Sequence, residues 1–175
     1  MHTSSWVVLI QSFPPVFRCP LKRRYIMRFA CALVLAGFTV VSSSHAETSQ
    51  EKAAISLAER AAKHIHAVGI PVACKDFADP TKGYIDGELY VYIQDLKAKM
   101  ICHPTNARLN GKDLLELKDA DDKPFNKEML EVLKRGRSGW VSYRWVHPVS
   151  KTIQPKKTYV MAIDGVMLGV GIYTK

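Results

Sequence analysis

The sequence predicts an α+β domain: one long helix on a five-stranded antiparallel sheet, with a short helical insert between the second and third strands. Three observations carry that reading. Apolar residues recur at Ala54, Leu57, Ala58, Ala61, Ile65 and Val68, the spacing of one helix face. Leu89 to Asp95 is rich in β-branched and aromatic residues. Two further strand patterns, Lys156 to Ile163 and Val166 to Tyr173, flank Asp164-Gly165, a two-residue hairpin signal.

The helix opens on Thr48-Ser49-Gln50-Glu51, which has the form of a capping box. Its apolar face is mostly alanine, so the helix can lie close to what it covers. Gly69, Ile70 and Pro71 are expected to end it. A polar connection around Asp79 to Gly87 leads into the first strand, Leu89 to Asp95. Lys97 to Lys99 turns the chain, and Met100 to His103 returns as a short strand stopped by Pro104. Asn110-Gly111 marks a turn. Leu114 to Leu117 is expected to form a short helix, Asp119 to Lys123 a charged turn, and Asn126 to Arg135 a second short helix ended by Gly136. Gly139 to His147 is the third strand, and Pro148 to Pro155 loops back to the last two.

Charge is divided unevenly. All 16 acidic residues follow Ala46, while residues 1–46 hold Arg18, Lys22, Arg23, Arg24 and Arg28 and no acid. The remainder has 20 basic and 16 acidic residues, a net of +4, so the overall +9 does not signal a nucleic-acid-binding arm. Phe29 to Val41 is a run of thirteen apolar or small residues, too short to span a bilayer. With the basic residues before it and Ser44-His45-Ala46 after it, the segment reads as an export signal cleaved between Ala46 and Glu47. An uncleaved anchor is the competing reading. Met27 is the expected start, with residues 1–26 an extension. Residues 47–175 then form one domain in the periplasm or outside the cell, with no membrane insertion after cleavage. Cys74 and Cys102 survive cleavage, and in an oxidising compartment they are either one disulfide or two buried thiols.

Strand alternation divides the sheet into two faces. Leu168, Val170 and Ile172 make an aliphatic face suited to the alanine stripe; Gly169, Gly171 and Tyr173 point the other way. Tyr90 and Tyr92 share a face, as do Tyr143 and Trp145. We expect Lys157 and Tyr159 to lie with these aromatics, and Thr158, Val160 and Ala162 to lie on the aliphatic side. Gly169 and Gly171 would then leave room for a site with one positive charge and several hydroxyls, suited to a small organic anion. Simple packing of the aromatic stripe is the alternative.

Seven segments in order resemble the single Cache domain, the PAS-like extracellular sensor module of bacterial receptors. They are Tyr90-Val91-Tyr92-Ile93-Gln94-Asp95; Met100-Ile101-Cys102-His103-Pro104; Leu109-Asn110-Gly111-Lys112-Asp113-Leu114; Lys118-Asp119-Ala120-Asp121-Asp122-Lys123; Gly139-Trp140-Val141-Ser142-Tyr143-Arg144-Trp145 with Pro148; Lys157-Thr158-Tyr159-Val160; and Gly169-Val170-Gly171-Ile172-Tyr173. The resemblance implies a PAS-like sheet with a pocket on the face away from the helix, and small ligands that are often short carboxylates. It implies ligand contacts at His103, Tyr143, Trp145, Lys157 and Tyr159, with Arg144 ranked lower for its opposite parity. A membrane receptor or transporter is the expected partner, and neither a cofactor nor catalysis is expected. Asp122 stands where the family usually has glycine, so that turn is expected to differ. No receptor membrane helix or signalling domain follows the match, so the expected form is a freestanding module. An accessory protein with a vestigial pocket, acting through protein contacts, is the alternative.

Enzyme and metal motifs are absent from the sequence. His64 and His66 are about 200° apart on a helix and cannot share a metal. Cys102 and His103 point to opposite faces of a strand and cannot act as nucleophile and base. Asp119, Asp121 and Asp122 lack the glycine and distal glutamate of a calcium loop.

Overall fold

The computed structural model describes residues 47–174. The leader, the start at Met27 and the cleavage signal fall on residues 1–46, outside the described residues.

The chain runs α1 (Ser49–Val68), α2 (Ile70–Ala78), β1 (Ile85–Asp86), β2 (Leu89–Asp95), β3 (Met100–Cys102), α3 (Phe125–Arg135), β4 (Ser138–Val146), β5 (Ile153–Ile163) and β6 (Val166–Tyr173). The fold is the α+β plan of helix, antiparallel sheet and helical insert. The sheet is open, with order β1-β2-β6-β5-β4, and β3 also pairs with β2. A two-residue strand, β1, adds a sixth member to the five expected.

Local chemistry sets α1. Thr48 Oγ1 accepts from the Glu51 backbone N–H at 3.2 Å, and the Glu51 carboxylate accepts from the Thr48 N–H at 2.9 Å. Two of the helix's orphan donors are thereby satisfied. Ala54, Leu57, Ala58, Ala61 and Ile65 are buried against Val91, Ile93, Leu168, Val170 and Ile172. Gly69 ends α1 at φ 78, in a conformation that favours glycine.

Two helical expectations are corrected. Pro71 opens α2 instead of closing the helical region, because proline's missing N–H is not needed in a first turn. Ala73 and Phe77, one turn apart, bury the α2 face. Leu114 to Leu117 is not a helix. The Leu114 N–H donates to Ala98 O at 3.1 Å and Asp113 bridges to Lys99, so the backbone is spent on pairing with the chain before β3. A short 3₁₀ turn at Ala107–Leu109 stands nearby instead.

The Asp119 turn is held by its carboxylate, which accepts from the backbone N–H groups of Asp121, Lys123 and Arg144. Burial pushes the Asp119 carboxyl up, but those three N–H groups outweigh it and hold the group below its ordinary value. Asp122 has φ 61, the left-handed region that glycine would enter without cost. Cys74 of α2 and Cys102 of β3 are joined, with S–S 2.04 Å and Cα–Cα 5.8 Å. Closing a loop of 28 residues contributes about 3–4 kcal/mol in the chain-entropy account.

Candidate functional site

The Asp164-Gly165 turn sets the register that builds the site. Ile163 pairs with Val166, so Lys156 faces Tyr173, Lys157 faces Ile172, Thr158 faces Gly171 and Tyr159 faces Val170. Paired residues share a face. The even positions of β5 therefore lie with the odd positions of β6, under α3 and away from α1.

This overturns the expected face of β5. Lys157 and Tyr159 lie on the α1 side, separated by the sheet from His103, Tyr143 and Trp145. Lys157 Nζ donates to the Glu51 carboxylate and sits 4.9 Å from the centre of the Trp140 ring. Tyr159 Oη donates to Ser138 Oγ at 2.8 Å. The space expected above the glycines is also filled. A Cβ at Gly169 would lie 2.3 Å from Tyr92 Cζ, and one at Gly171 would lie 2.0 Å from Lys156 Cε. These glycines exist to admit the Tyr92 ring and the Lys156 stem.

Lys156 takes the place expected of Lys157. It is 1% exposed. Its Nζ donates to Tyr90 Oη at 2.7 Å and lies 5.1 Å from the centre of the Tyr173 ring. Among the described residues no carboxylate pairs with it within 4.0 Å. Burial pushes the Lys156 ammonium below its ordinary value, and Tyr90 works against that shift.

Around this cation lies a small cavity. Tyr143 and Trp145 form one wall, with Phe125 of α3 stacked on Tyr143 at 4.3 Å between ring centres. Tyr143 Oη and Thr158 Oγ1 are 3.1 Å apart. Tyr92 Oη reaches Met129 Sδ at 3.5 Å beneath α3. His103 closes another side, stacked on Tyr92 at 5.8 Å. Its Nδ1 accepts from the Asn106 N–H at 3.1 Å, which leaves Nε2 as the protonated nitrogen. Burial, then the Lys156 charge, lower the His103 pKa from 6.5 to about 3, so the ring is neutral. Gln94 and Asn126 complete the floor and roof. The cavity volume is about 10 Å³, about enough for one water molecule. Beyond His103 and Trp145 an open groove of about 330 Å³ continues past Asn106, Leu109, His147 and Lys151.

The site thus joins His103, Tyr143 and Trp145, adds Lys156, Gln94 and Phe125, and leaves out Lys157 and Tyr159. The signal for Lys156 was present in the turn: across a two-residue loop an odd position pairs with an even one. Gln94 and Asn126 carried no local signal, because their pairing joins a strand to a distant helix.

The family model described as Single Cache domain 2 matches residues 47–175. The chain belongs to the single Cache domain 2 family. Among solved structures, a Cache chemosensory domain described for its recognition of carboxylic acids superposes with TM-score 0.62 at 27% identity, covering 72% of this chain and 94% of that one. A periplasmic sensor domain of a chemotaxis protein superposes with TM-score 0.57 at 28% identity, covering 71% of this chain and 90% of that one. Among curated proteins, the methyl-accepting chemotaxis protein McpP of Pseudomonas putida is 33% identical over 90 residues, 50% of this chain and 16% of that protein. The matched stretch is a small part of that receptor's length. Cache domains are sensor modules, and none of the described helices of this one is long and apolar enough to cross a membrane.

Proposed function

We propose that this Cache domain is an exported sensor that binds a short organic carboxylate beneath α3, with Lys156 as the charge that holds it. The observation that supports this most is the buried Lys156 ammonium without an acidic partner among the described residues. Burying an isolated charge is costly, and a chain that keeps one in an aromatic cavity gains by supplying an anion to it. His103, which lines the same cavity, carries its proton on Nε2 and is a neutral donor. The solved relative described for carboxylic acid recognition is in keeping with that ligand class.

A short acid is larger than the present cavity. Its binding therefore lifts the roof, where Phe125 leans on Tyr143 and Met129 on Tyr92. That displacement would report occupancy to a membrane receptor or transporter.

Calorimetry of the purified protein with acetate, propionate and butyrate tests the reading. We expect saturable binding of at least one. A charge-assisted hydrogen bond contributes about 1.5–3 kcal/mol, so Lys156→Met should weaken binding about ten- to a hundredfold. Lys157→Ala should bind like the parent. No binding of any short carboxylate would return the domain to the accessory reading. Export is tested separately: N-terminal sequencing should find Glu47 first, and a product retaining Met27 would show an anchor.

A further inference from the structure

We propose that Gln94 reads a hydroxyl on the ligand, so that the site prefers short hydroxycarboxylates to plain carboxylates and to amino acids. The inference rests on the carboxylate reading above and narrows it.

A chain of hydrogen bonds fixes the orientation of Gln94. The Leu114 carbonyl can only accept, so the group facing it at 2.8 Å is Asn126 Nδ2. Asn126 Oδ1 then faces Gln94 and accepts from its Nε2 at 3.2 Å. Gln94 Oε1 is left as a buried acceptor with no hydrogen-bond partner among the described residues. Gln94 is 2% exposed and Asn126 is 0% exposed, so bulk water does not reach either side chain. Both line the cavity that holds Lys156 and His103. An unsatisfied buried acceptor is destabilising, and such groups in folded proteins ordinarily have a partner.

The other polar atoms of the cavity define what that partner is. The Tyr92 hydroxyl donates to Met129 and the Tyr143 hydroxyl is shared with Thr158, so each keeps some accepting capacity, whereas Gln94 Oε1 is the buried acceptor with no partner among the described residues. Lys156 and His103 offer N–H groups and cannot supply an acceptor to a ligand. Among the described residues no acid lines the cavity. The complementary molecule therefore carries negative charge toward Lys156 and a hydrogen-bond donor toward Gln94. An ammonium would donate equally well, but it would bury a second cation beside Lys156 with no acid to offset it. A hydroxyl donates without charge.

Paired ligands test this in the unmodified protein: lactate and 3-hydroxypropionate against propionate, 3-hydroxybutyrate against butyrate, and alanine as the ammonium analogue. At least one hydroxy acid should bind about tenfold or more tighter than its deoxy partner, in the way that sites built to bond a hydroxyl reject ligands lacking it. Alanine should bind no better than propionate. Gln94→Met, similar in shape and without an acceptor, should level the pair, read as the ratio of hydroxy-acid to deoxy-acid affinity in the same variant. Two results would overturn the inference and spare the carboxylate site: equal affinity within every pair, as expected if one ordered water satisfies Gln94, or a preference that survives Gln94→Met. Alanine matching lactate would also overturn it. If none of these acids binds, the carboxylate reading falls first and this one with it.

Discussion

At the scale of single residues, adjacent lysines on one strand have opposite fates. Lys157 reaches the Glu51 carboxylate and lies over Trp140 on the α1 side, whereas Lys156 is enclosed by Tyr90 and Tyr173 on the other. Composition alone could not tell them apart; parity could, once it was counted through the Asp164-Gly165 turn instead of strand by strand. Tyr143 and Trp145 were legible because they sit on one strand, where alternation needs no partner. The two glycines of β6 separate packing from binding. An added Cβ at Gly169 meets the rigid Tyr92 ring at 2.3 Å, while one at Gly171 meets the flexible end of Lys156 at 2.0 Å and the Thr158 hydroxyl at 2.7 Å. Gly169→Ala should therefore lower the melting temperature sharply, at a cost of about 1–3 kcal/mol or more from overpacking. Gly171→Ala should cost less stability and weaken carboxylate binding instead, by displacing the ammonium. Thermal denaturation and calorimetry on the two variants check this. The assignment fails if Gly171→Ala binds like the parent.

At the scale of elements, legibility followed the range of the forces involved. The first helix was readable because its cap and stripe are local: Thr48 and Glu51 satisfy each other within one turn. The second helix was missed because Pro71 has two meanings, a stop within a helix and a favoured opening residue. The segment at Leu114 was misread because its backbone pairs with Ala98, well outside any local window. The cap also carries a pH signature. The Lys157 hydrogen bond, then the Thr48 N–H, lower the Glu51 pKa from 4.5 to about 2. Between those values the unfolded chain takes up a proton that the folded chain refuses. The contribution is complete above about pH 4.5 and is lost as pH falls through about 2. Urea midpoints across that range should fall less steeply for Glu51→Gln than for the parent. Parallel slopes for the two proteins would mean that the pair does not couple to folding.

At the scale of the whole molecule, the sheet divides two cores of different character. One, under α1, is mostly aliphatic and alanine-lined with a few aromatics at its edge; the other, under α3, is richer in aromatics and holds Lys156, the one buried lysine among the described residues. Alternation foresaw the division for β2, β4 and β6 but assigned the faces of β5 the wrong way round; the helix-sheet-insert order was legible. The position of the charge and the Gln94–Asn126 contact were not, since both depend on which elements meet across the fold. What joins the cores is β5. Its Lys156 belongs to the cavity and its Lys157 to the first turn of α1, with one peptide bond between them. A hydrogen-bonded strand in mid-sheet is stiff, so its two sides cannot be displaced independently. It has the form of a balance beam: were a ligand to load the side beneath α3, the strand would carry that load to Glu51 in the first turn of α1.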